Sequence, residues 1–105
     1  MSRREQITLD YKKAMNVAGK ISDTAKNIQS NIVKKIDTTN DELKKVWQGT
    51  NADKFGKKAD KAQVNLEGCV ADLQEVAEAI AAIAKNIYDA EMEALRILEE
   101  SMAKK

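Results

Sequence analysis

The side chains able to carry covalent or metal chemistry are few and scattered. Histidine is absent and Cys69 is the single cysteine among 105 residues. The usual zinc and haem donors are therefore missing, and no intramolecular disulfide is possible. Cys69 reads as a small core residue. Carboxylates are plentiful, but pairs such as Glu91 and Glu93 read as surface charges on a helix rather than a shaped acid–base site. No glycine-rich loop leads from a strand into a helix to cradle phosphate. Six lysines lie between positions 44 and 61, without the interleaved aromatics that stack bases. These residue types give no support to catalysis, to a cofactor or metal, or to nucleic-acid binding. What remains is recognition through a surface.

The elements that would carry such a surface are helices. The chain has no proline and four glycines, so little interrupts its helix-forming residues, and one domain is the most that this length holds. Ile7, Tyr11, Ala14, Ala18, Ile21, Ala25, Ile28 and Ile32 recur at alternating steps of four and three, the mark of a helix with a coiled-coil-like seam. An extra step of four then reaches Ile36, and the pattern resumes at Thr39, Leu43 and Val46. That stutter unwinds a supercoil locally. Thr39-x-x-Glu42 also fits a capping box, so the reading is one helix with a soft spot there. The second half repeats the seam with Phe55, Ala59, Ala62, Leu66, Cys69, Leu73, Val76, Ile80, Ile83, Ile87, Ala90 and Ala94, and Phe55 reads as core.

Between the two runs, Gly49 suits the residue just past a helix end and Thr50 suits the next N-cap. The expected boundaries are helix 1 over about 3–47, a turn at about 48–50 and helix 2 over about 51–102. So short a connection forces the two to lie antiparallel. The fold class is all-α: an antiparallel two-helix hairpin with a Trp-x-Gly turn, dimerising into a four-helix bundle.

Dimerisation is expected because helix 2 has more apolar surface than one neighbour can cover. Beside its main seam runs a second stripe, Ala77, Ala81, Ala84, Tyr88 and Leu95, which are the candidate dimer-interface residues. Helix 2 is also the longer arm and should overhang by roughly 10–15 Å at ~1.5 Å per residue. Charge is uneven: residues 67–100 carry nine acids against Lys85 and Arg96, while the turn is basic. An acidic polar face makes contact with anionic lipid unfavourable. The polar start, Met1-Ser2-Arg3-Arg4, lacks the apolar run of a cleavable signal peptide.

The turn reads Trp47-Gln48-Gly49-Thr50-Asn51-Ala52-Asp53-Lys54-Phe55, so Trp47, Gly49, Ala52 and Phe55 fall as W-x-G-x-x-A-x-x-F. This resembles the WXG-type (Esx-like, early-secreted-antigen) small proteins exported by bacterial type VII secretion systems, over the whole length of the chain. The resemblance implies a small dimeric substrate secreted from a bacterial cytoplasm without a cleavable signal peptide, and not an enzyme. Its alternative is a helical adaptor that pairs with a larger toxin effector bearing a related hairpin. Either would be presented to the secretion ATPase. Read from the residue alone, Trp47 caps the bundle end with its indole over the seam; the resemblance adds that this tip forms a recognition cleft with a partner's C-terminal helix. It further implies a C-terminal export signal. An aromatic followed four residues later by an acid is not met, since Tyr88 is followed at that distance by Met92. The related apolar pattern is met by Ile87, Glu91, Ala94 and Leu98.

Overall fold

The computed structural model describes residues 1–46 and 49–104, and within them every regular element is helical. Ser2 caps the first helix: its Oγ accepts from the Glu5 N–H at 3.1 Å and its carbonyl from the Gln6 N–H at 3.0 Å. This satisfies two of the amides that every helix start leaves over. Helix α1 runs Arg3–Ile28. A π-helical segment, Gln29–Val33, follows, and α2 continues over Lys34–Val46. Ile28 and Lys34, on either side of the π segment, both hold right-handed helical backbone, with φ of −59° and −64°. The soft spot is therefore a local widening and not a break.

The widening falls earlier than the sequence pattern places it, and it has a packing cause. Val33 is 2% exposed, whereas Ile32 is 46% exposed. The seam steps five residues from Ile28 to Val33, which one π turn accommodates by inserting a single residue into the helix. The later positions shift with it: Asn40 is buried and Thr39 is exposed, and Val46 is 83% exposed. Thr39 and Glu42 cap nothing, because α2 is continuous through them.

Helix α3 runs Thr50–Ala103 without interruption. The Gly49 carbonyl accepts from the Asp53 N–H at 3.0 Å, so the first bond of α3 starts at Gly49 and Thr50 is already helical rather than the cap. Gly49 has φ of +115°, a conformation closed to most L side chains. Trp47, the expected end of helix 1, and Gln48, the first residue of the expected turn, lie outside the described residues.

Two compact units divide the chain, one of residues 1–20 and 76–105, the other of residues 21–75. In the first, α1 packs against the later part of α3. Tyr11 meets Tyr88, and nearer the chain's N-terminus Arg4 meets Glu99; partners that move in opposite senses along the chain are antiparallel. Ile7, Ala18, Ala77 and Ala84 are its buried apolar residues. The second unit is a helical hairpin about Gly49. It buries Ala25, Val33 and Asn40, and Ser22 bonds Gln74 as Asn40 bonds Asp60.

The glycines separate strain from slack. Gly68→Ala, in open space on α3, should raise unfolding stability by ~0.5–1 kcal/mol, the gain for replacing a mid-helix glycine. Gly49→Ala should lower it by about 1–2 kcal/mol, since its backbone conformation then carries a Cβ penalty. Urea denaturation followed by circular dichroism measures both.

Candidate interaction surfaces

The inward face of α3 mixes small, polar and larger apolar side chains, and its fully buried members are small. In the first unit Ala77 is 6% and Ala84 is 8% exposed, and Ile80, Ala81, Tyr88 and Leu95 are half-buried. In the second unit Gly56 is buried, and Ala52, Ala59, Gln63, Leu66, Val70 and Leu73 are half-buried. The alternation of four and three is present, but it is set one position along from the apolar series. Gln63 replaces Ala62, Val70 replaces Cys69, Ala77 replaces Val76 and Ala84 replaces Ile83. The expected second stripe, Ala77, Ala81, Ala84, Tyr88 and Leu95, is thus the intrachain seam rather than an outward one. Phe55, at 46% exposed, and Cys69, also exposed, are not core.

In the first unit alanine is the physical reason for the exchange. Ala18 on α1 and Ala77 and Ala84 on α3 are buried there, and small side chains on both sides let helix backbones approach. The larger side chains of the neighbouring face are turned out. In the first unit that outward face carries Val76 at 47%, Ile83 at 58%, Ile87 at 53% and Ile97 at 55% exposed. Solvated aliphatic side chains at heptad spacing on one helix are the pattern of a docking face.

The residues expected to form an export signal all lie in this unit, in two environments. Tyr88 is held by Tyr11, with ring centroids 4.9 Å apart and planes tilted by 42°, a favourable edge-offset geometry. Glu91 pairs with Arg3 at 3.7 Å. Ile87, Ala94 and Leu98 are exposed, and so is Met102 beyond them. Arg4 reaches Glu99 at 3.2 Å, and α3 continues past it to Ala103.

At the tip, Gly49, Ala52 and Phe55 come together in the second unit along a groove of about 570 Å³ shared with Asn40, Leu43 and Asp60. A smaller, mostly apolar groove of about 260 Å³ joins Phe55 to Ile36, Leu43 and Ala59. Trp47, the fourth residue of the motif, lies outside the described residues. The capping Ser2 and the buried Asn40 escaped the sequence pattern. Ser2-x-x-Glu5 carries a legible capping signature, whereas nothing local marks Asn40 as buried.

The electrostatics are those of a solvated helix. Arg96 binds Glu93 and, at 2.6 Å, Glu100. The guanidinium holds the Glu93 carboxyl below its ordinary range through a hydrogen bond and its charge, and Asp89 raises Lys85 in the same way. Glu93 has its folded value depressed, so its contribution is complete above the unfolded value and is lost as pH falls through the folded one. Amide protection over residues 93–103, taken relative to the intrinsic exchange rate at each pH, should fall below about pH 4, near the ordinary glutamate value, and by more than over residues 76–84. An equal fall across both stretches would contradict this.

Among the described residues no group of Cys, Asp or Glu is placed to hold a metal ion, and no helix is long and apolar enough to cross a membrane. Comparison with curated proteins and with solved structures gives no match. A family model, described as proteins of 100 residues with WXG, matches residues 6–92. That family consists of small, non-enzymatic helical hairpins associated with type VII secretion. With the match spanning most of the helical seam and the turn, the chain belongs to the WXG100 family.

Proposed function

We propose that this protein is an exported substrate of a type VII secretion system and works as a homodimer, with the outward face of α3 as its contact. The observation that supports this reading is the exposed row Val76, Ile83, Ile87 and Ile97. The intrachain seam leaves about half of each of these side chains in water, and burying that half would contribute roughly 1 kcal/mol apiece, about half the value of a full burial. Tyr88 and Leu95, half-buried beside the row, would lie at its edge.

Charge favours a second copy as the occupant. The start of α3 carries Lys54, Lys57, Lys58 and Lys61 against Asp53 and Asp60, while positions 67–100 carry nine acids and two bases. Antiparallel pairing of α3 with a second α3 sets each basic start against an acidic end, and parallel pairing sets like against like. In this arrangement Ala94 and Leu98 are the members of the export pattern left open to the secretion machinery, while Ile87 is taken up in the contact. Tyr88 and Glu91 have their intrachain partners in Tyr11 and Arg3. The tip groove lined by Gly49, Ala52 and Phe55, the motif residues that follow Trp47 in sequence, would supply the recognition cleft.

A second reading, an adaptor for a larger toxin, draws on the far end of α3. Ile97, Leu98 and Met102 are all more than half exposed there, which suits a partner longer than this chain. Light scattering over a dilution series separates the two readings: a mass of two chains that persists to low micromolar supports the homodimer. Ile83→Asp with Ile87→Asp should then give a helical monomer. A native protein that is monomeric throughout would overturn the homodimer and favour the adaptor.

A further inference from the structure

In the second unit, α3 offers two faces to the first arm, and they share Ala59, Leu66 and Leu73. One adds Phe55, Ala62 and Cys69; the other adds Gly56, Gln63 and Val70. By apolar content the first is at least the equal of the second, yet the second faces inward. Apolar burial therefore does not choose between them.

The chosen face differs in its polar complementarity. Ser22 donates from Oγ to Gln74 Oε1 at 3.0 Å, and Gln74 Nε2 donates back to the Ser22 carbonyl at 3.5 Å. Asn40, 4% exposed, donates from Nδ2 to Asp60 Oδ1 at 3.0 Å. Turning α3 to present Phe55, Ala62 and Cys69 would carry Gln74 and Asp60 away and strand both arm residues against apolar side chains. Asn40 Oδ1 is buried without a hydrogen-bond partner. As a source of stability the residue is thus a poor one; a polar residue in a seam that costs stability is a known means of fixing how helices pair. Gly56 fits the same face, because a Cβ there would lie 3.7 Å from the Lys44 stem and 3.9 Å from Asn40 Oδ1.

We propose that Ser22–Gln74 and Asn40–Asp60 form a selector that fixes which face of α3 meets the first arm, keeping the face of Ala62 and Cys69 outward. The selection rests on contacts inside the second unit alone. Only its use, the supply of an outward face for pairing, rests on the homodimer reading.

Cys69 is exposed and reports the face directly. In the full chain, Ser22→Leu with Asn40→Leu makes the arm apolar, so α3 should turn its apolar face inward. Reaction of Cys69 with an aromatic disulfide reagent should then slow by about tenfold or more relative to the native chain, as burial excludes the reagent. The slowing should be independent of protein concentration, which separates it from masking by a second copy. Exchanging the partners, with Ser22→Gln, Gln74→Ser, Asn40→Asp and Asp60→Asn, should restore native reactivity. If the leucine variant loses its helicity, Asn40→Leu alone is read in the same way. A helical leucine variant with native Cys69 reactivity overturns the selector, as does an exchanged variant as protected as the leucine one. Solution mass, read in parallel, tests the homodimer separately: a native chain that is monomeric while the thiol results hold would overturn only the pairing.

Discussion

The burial of small side chains in the helix seams governs the rest of this structure. Among the described residues, four of the six buried apolar ones are alanines, with Ile7 and Val33 as the larger exceptions. A buried methyl contributes far less than a buried branched aliphatic, so each helix pair gains little from its own seam. The larger side chains are then left where the chain itself offers no cover. A scaffold with its small residues inside and many of its large ones outside buries less apolar area within one chain than the reverse arrangement would.

Around that seam, polar contacts supply what apolar area does not. Ser22 with Gln74, Asn40 with Asp60, and the Tyr11–Tyr88 rings are spread along the helix pairs, each between residues far apart in sequence. Directional contacts of this kind add modest stability individually. Their value is geometric, since each is made in one rotational setting of the helix and in no other. The exposed ion pairs, such as Arg4 with Glu99, are solvated and add little to either stability or setting.

Much of the fold was legible in the sequence. Continuous helix, a reversal at Gly49 and the seam from Ile7 to Ile28 follow from composition and spacing, and Trp47-Gln48-Gly49 carried the family. The facing of α3 was not legible, for a definite reason: two series at steps of four and three share half their members, and periodicity alone scores them almost equally. Polar partners 52 and 20 residues apart decide between them, and no local window contains both members of either pair. The π segment was hidden similarly. A path through Ile32 and Thr39 and a path through Val33 and Asn40 meet again at Ile36 and Leu43, so the pattern looks intact from either side. Of the tip motif, Gly49, Ala52 and Phe55 line one groove, and Phe55 is 46% exposed rather than core.

Cys69 sets a limit of a different kind. A chain with one exposed thiol has a covalent valence of one. Oxidation can join two copies through it and can do nothing further: it cannot staple the arms of a single chain, nor extend a pair into a polymer. Any larger assembly of these chains has to be held by surfaces alone, and is therefore reversible.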